Sequence, residues 1–191
     1  MLDTEPLDTA PLDTAPLDTG PLDTGPLDTE PLRDAYRGLL DAATTVAGSG
    51  GPVPGPVPVP PPGEWDADQI LAHIVLVGTA TITAVSSAVT GTVTTYDNRL
   101  AHDAWTIDRV ITLTGGGTGL RNRIRHQADA LCTLAMSCSK AELDTPVPTL
   151  LLSKGKVMVD QPVPLRDLIT GLTESELPGH TQQLLALPAT N

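Results

Sequence analysis

"GEWDADQILAHIV", residues 63–75, is the stretch on which the reading of this chain turns. A tryptophan leaves a proline-glycine turn, Asp66 and Asp68 stand where the positive end of a helix favours acidic side chains, and an apolar run holding His73 follows. Continued outward, Ile70, Ile74, Gly78, Ile82, Val85 and Val89 fall on one helical stripe. This predicts a helix from Asp66, although its later β-branched residues blur helix with strand. His73 lies about 60° off that stripe. On the residues alone it is either a core histidine satisfied by its neighbours or one arm of a metal site.

No charged residue occurs from Gln69 to Tyr96, and Trp65 and Tyr96 bracket the segment as an interfacial belt would. Its load of Ser and Thr and its acidic flanks favour a core helix over a membrane span. Upstream, "GSGGPVPGPVPVPPPG", residues 48–63, predicts an extended connector of polyproline character, a spacer between helices or a ligand for a proline-binding domain. Before it, Leu32, Tyr36, Leu39, Leu40, Ala43 and Val46 have helical spacing, so a first helix is expected from Leu32 to about Ala47.

Residues 2–31 repeat a five-residue LDTxP unit six times. A proline in every unit removes a backbone donor and biases its predecessor to extended conformations. The expectation is a disordered tail over residues 1–31, a low-complexity expansion or an acidic ligand for a partner. It holds eight of the 23 acidic residues and no basic one, so the formal charge of −12 falls to −4 over residues 32–191, with 15 acidic against 11 basic side chains. That segment fits one domain. Its one basic cluster, Arg121, Arg123 and Arg125, reads as a solvated helix face and predicts no nucleic-acid partner. Cys132 and Cys138, about 120° apart on one expected helix, do not readily bridge. Without a disulfide framework or an apolar leader the chain reads as cytoplasmic.

Downstream of the quoted stretch, a short helix is expected near Asn98–Leu113. A glycine loop, "TGGGTG", and a third helix from about Leu120 to Ser139 come next. "TLLLSKGKVMVD", residues 149–160, carries a β-hairpin signal with its glycine in the turn. A last helical region starts near Pro164 and resumes in "ELPGHTQQLLAL", residues 176–187. The expected fold is mainly α: a four-helix bundle with a short hairpin inserted before the last helix and a repeat tail in front.

Of four histidines, His102 and His126 lie among charged residues and read as solvent-exposed. His73 and His180 each sit beside an apolar stripe, and Glu176 precedes His180 by four, a spacing that puts both on one helical face. Two imidazoles and a carboxylate are three protein ligands for a divalent metal, with a position left open. Pro178, between Glu176 and His180, predicts a helix break there. Glu176 would then precede the restarted helix, or serve as capping-box partner of Thr173. No nucleophile elbow, Cys-His motif or glycosidase-like carboxylate pair is present, and no catalytic side chain is identified.

"PPGEWDADQILAHIV", residues 61–75, resembles the start of the second helix of the DinB-like superfamily, and "ELPGHTQQLLAL" resembles its last. Within that superfamily the pattern is similar to the mycothiol-dependent maleylpyruvate isomerase branch, whose His, Glu, His triad would fall on His73, Glu176 and His180. The resemblance spans residues 32–191 and implies a DinB-like four-helix bundle, a zinc-like divalent metal and the homodimer common among its members. It implies a low-molecular-weight thiol such as mycothiol as cosubstrate, with an electrophile to isomerise or to receive sulfur. Two other functions stay open: a metal- or ligand-binding bundle without turnover, and an interaction scaffold acting through the acidic tail.

Overall fold

The computed structural model describes residues 27–48, 64–153 and 155–187. The first five repeat units and the connector expected over 48–63 lie outside them, apart from Gly48. The fold is mainly helical with one small sheet. Helix α1 spans Glu30–Gly48 and α2 Ala67–Val89; strand β1, Tyr96–Asp97, leads through a 3₁₀ turn, Arg99–His102, into α3, Ala104–Thr114. Then come α4, Gly117–Ser137, and α5, Lys140–Leu143. Strands β2, Pro146–Ser153, and β3, Lys156–Pro164, form the expected hairpin, antiparallel, with a register shift between Leu151 and Leu152. β1 adds to β2 in parallel, giving the order β1-β2-β3.

The chain ends in three consecutive helical segments: α6, Leu165–Gly171, a π turn, Leu172–Glu176, and α7, Leu177–Leu185. α1 packs on α4 and α7, while α2 packs on α3 and α4. The expected stripe of α1 faces inward at Leu32, Tyr36, Leu39 and Ala43, and that of α4 at Leu120, Ile124, Ala128, Leu131 and Ala135. Both cysteines are buried and free.

α1 begins inside the sixth repeat unit, two residues before the expected tail boundary. Pro31 falls in the first helical turn, where the missing N–H has no intrahelical partner to lose. Leu27 packs against the core and Thr29 is buried, so this last unit belongs to the folded body.

α2 starts where its sequence says. Asp66 accepts from the Gln69 N–H at 2.8 Å, and the Asp66 N–H donates to Gln69 Oε1 at 3.0 Å, a reciprocal capping box. The helix is long and apolar enough to cross a membrane by length and composition, yet 61% of its most apolar window is buried inside the fold. Gly78 lets α4 approach: a Cβ there would meet Gln127 Oε1 at 3.1 Å. Gln127 in turn donates to the Val75 carbonyl and to Thr79 Oγ1, locking the two helices in register.

The glycine loop is shorter than "TGGGTG" suggests, because α4 already begins at Gly117. Gly115 and Gly116 take the positive φ values that turn the chain, 77° and 78°. Gly119 is obligatory for another reason: a Cβ there would lie 1.8 Å from the Thr114 carbonyl oxygen. α4 has glycine at its N-cap and no side-chain cap of its own.

Candidate metal centre

His73 projects from the second turn of α2 and is 1% exposed. Its Nδ1 lies 2.7 Å from the Ala101 carbonyl oxygen, which can only accept, so Nδ1 carries the proton and donates. Ala101 belongs to the 3₁₀ turn, which brings that carbonyl over α2. Nε2 faces Glu176 Oε1 at 2.7 Å, a hydrogen-bond distance at which the two share a proton.

Glu176 and His180 reach the same point from the C-terminal helices. His180 Nε2 is 3.4 Å from Glu176 Oε1, and its Nδ1 donates to Gln183 Oε1 at 2.9 Å. Both imidazoles are therefore anchored through Nδ1 by an oxygen acceptor and turn Nε2 to one carboxylate. Such outer hydrogen bonds fix the tautomer and ring orientation of metal-ligating histidines. No two of the three ligand atoms are more than 4.8 Å apart. Tetrahedral ligands about 2.0–2.1 Å from zinc lie about 3.3 Å from one another. The observed separations bracket that value, so the residues fit a small divalent ion with modest side-chain adjustment.

Burial pushes the Glu176 carboxyl up, but the hydrogen bonds from His180 and His73, together with their charge, outweigh it. The net effect holds it far below the usual carboxylate range, ionised and ready to neutralise a cation.

The break expected at Pro178 does not occur. The chain widens into a π turn, in which the Leu177 N–H reaches back five residues to the Leu172 carbonyl, and Pro178 occupies the first turn of α7. A proline there has no donor to lose. Glu176 and His180 thus keep the one-turn relation of a continuous helix. Thr173 donates to the Ile169 carbonyl instead of capping with Glu176. π turns of this kind concentrate at functional sites.

A third histidine joins the cluster, and here the structure departs from the exposure that its charged neighbours predict. His102 is half-buried, its ring 5.0 Å from that of His73 and 5.7 Å from that of Trp65. Burial, then the adjacent His73, pushes its pKa down. Asn98 Nδ2 lies 3.2 Å from His102 Nε2, and the same amide exchanges two hydrogen bonds with the Leu152 backbone, tying the 3₁₀ turn to the hairpin. Trp65 covers the cluster, 4.8 Å from the His73 ring and nearly parallel to that of His180 at 6.2 Å. His126 is exposed, as its charged surroundings suggest, and Arg123 and Arg125 are too. Arg121 is half-buried beside Gly117. A tryptophan eight residues before a histidine was the signal that the site has an aromatic cover; nothing local marked His102.

No protein-family model matches the chain, no curated protein resembles it significantly, and no solved structure does.

Proposed function

We propose that this chain is a metal-dependent enzyme of DinB-like type, in which α1, α2, α4 and the Leu165–Leu185 helical run make a four-helix bundle around a divalent ion, by preference zinc. His73, Glu176 and His180 hold the ion. Its cosubstrate is a low-molecular-weight thiol such as mycothiol, used in isomerisation or S-transfer on an electrophilic carbon. The observation that carries this reading is the pair of anchored imidazoles: Ala101 and Gln183 take both Nδ1 protons, and both Nε2 atoms meet at Glu176 Oε1.

When bound, zinc supplies Lewis acidity that lowers the pKa of a thiol, so that the thiolate forms at neutral pH. The chain's own part is positional. Three protein ligands leave one coordination position for the thiol. The Trp65 ring shields one side of the cluster from water, and Glu176 keeps the site's charge below that of the bare cation.

Elemental analysis of purified protein without a histidine tag tests the metal. About one zinc per chain is expected, and loss of it in His73→Ala/His180→Ala with helical circular dichroism retained. Wild-type protein that stays free of metal after incubation with zinc defeats the proposal, and leaves a proton between His73 and Glu176 as the meaning of their 2.7 Å contact. Metal without any spectral response of the cobalt-substituted protein to thiols favours a binding bundle without turnover.

A further inference from the structure

We propose that Asn98 is a positioning residue of the histidine cluster: its side-chain amide stands in for the next rung of the ladder between β1 and β2, and so holds the 3₁₀ turn whose Ala101 carbonyl fixes His73. The inference deepens the metal-centre reading and rests on it for the effect on the ion; the effect on the His73 ring follows from the hydrogen bonds alone. Asn98 is where strand gives way to turn. Its φ of −95° and ψ of 9° belong to the turn that follows, Arg99–His102, and not to the strand before it.

In a parallel pair, a residue donates its N–H to one residue of the facing strand and accepts, through its carbonyl, from the residue two further along. Tyr96 pairs with Thr149 and Asp97 with Leu150, so Asn98 comes opposite Leu151. Its N–H continues the ladder, donating to the Leu150 carbonyl at 3.3 Å. Its carbonyl does not: it turns away to accept the Ala101 N–H at 3.0 Å, which opens the 3₁₀ turn. The Leu152 N–H that this carbonyl would have met is taken by Asn98 Oδ1 at 2.8 Å, and Asn98 Nδ2 donates to the Leu152 carbonyl at 3.0 Å. The orientation of the amide is fixed, because the backbone N–H can only donate and the carbonyl only accept. The side chain thus extends the ladder while the main chain leaves it.

The other Nδ2 proton faces His102 Nε2 at 3.2 Å, so one amide holds both the turn and a ring of the cluster. Asp97 helps from the strand side, where its Oδ1 accepts the Arg99 N–H at 2.9 Å. The turn has little packing of its own: Arg99 and Leu100 are exposed, and Ala101 is its one fully buried side chain. Its placement over α2 therefore depends largely on polar contacts, and the exchange between Asn98 and Leu152 ties it to the hairpin. From Asn98 the line to the cluster has two steps, its carbonyl to the Ala101 N–H and the Ala101 carbonyl to His73 Nδ1 at 2.7 Å. Aspartate at this position would keep the acceptor and lack the donor, and alanine would lack both.

Asn98→Ala and Asn98→Asp in the full chain test this, beside Ser139→Ala, which removes the capping box of α5, a helix that contributes nothing to the cluster, and so controls for lost stability. The first readout needs no metal: the exchange rate of the His73 Nδ1 proton in metal-free protein at fixed pH, followed by nitrogen-edited NMR. It is expected to rise at least about tenfold in Asn98→Ala and to stay within about twofold of wild type in Ser139→Ala. The second is zinc affinity by competition with a chelator, expected to fall about tenfold in Asn98→Ala and to hold in Ser139→Ala. Asn98→Asp offers the Leu152 carbonyl no proton and should speed exchange too, which preserves the test should the alanine variant fold poorly. The proposal is overturned by an unchanged exchange rate in Asn98→Ala, or in Asn98→Asp where that variant stands in for it. An equal rise in Ser139→Ala, or undiminished zinc affinity in Asn98→Ala, overturns it as well. Wild-type protein that takes up no zinc defeats the metal reading instead, and the exchange rates then decide the role of Asn98 by themselves.

Discussion

The two regions that meet at the candidate metal centre are built on different terms. α2 is regular from its capping box onward, buried over most of its middle, and registered against α4 by Gln127 and Gly78. His73 therefore has almost no freedom: its ring is fixed from behind by a backbone carbonyl that no side-chain substitution removes. The C-terminal run reaches the same point through a π turn with Pro178 just beyond it, and its histidine is fixed by a side chain, Gln183. One side chain of the cluster is set by packing that the whole core enforces, and two are set by a local irregularity in one helix. A site composed this way has a fixed reference and an adjustable clasp.

Removing the irregularity should produce the largest difference between the two sides. Deleting Ser175 takes one residue from the π turn, restores an i→i−4 turn there and re-aims Glu176 and His180 relative to α6. Zinc is expected to fall from about one to below about 0.1 per chain, with helical circular dichroism retained. Binding that survives the deletion would show that the turn is incidental to the site.

A milder contrast comes from the outer hydrogen bonds. Gln183→Ala frees the His180 ring without touching a ligand atom, and metal affinity should drop about 10- to 100-fold, measured by competition with a chelator. An unchanged affinity would mean that the clasp does not need its anchor.

The smallest effect should come from the rigid side. Asp66→Ala removes one arm of the capping box and should cost about 1 kcal/mol of stability in thermal or denaturant unfolding. Metal stoichiometry should stay the same, because His73 is held two turns further on. Loss of metal in this variant would show that α2 is less independent of its cap than its burial implies.

Much of the rigid side could be read from residues 63–75. An acidic N-cap, a Gln three residues later and an apolar stripe are local signals, and local signals survive folding when the element is buried as its pattern demands. The hairpin was equally legible, through two apolar runs around a glycine, and Gly155 takes a φ of 73° in its turn. The clasp was legible only as a list of side chains. Nothing near Leu172–Glu176 selects a π turn over an α turn, and Pro178 argues for a break unless the chain is known to widen ahead of it. β1 is two residues long and exists because β2 lies beside it. His102 stands among charged neighbours in sequence, and its burial comes from Trp65 and His73, both far from it along the chain. In each case the missing information is the identity of the partner, which the local pattern does not carry.

The 3₁₀ turn at Arg99–His102 has an implication for anyone altering this protein. The atom that fixes the His73 tautomer is a main-chain oxygen 28 residues away, presented by four residues that contribute one small buried side chain, Ala101, to the core. Lengthening or shortening that turn by a residue would leave the helices almost untouched while re-aiming one imidazole. Under the metal-binding proposal, it is a place from which the preference among ions of different size would be retuned by engineering, without substituting any side chain that would touch the ion.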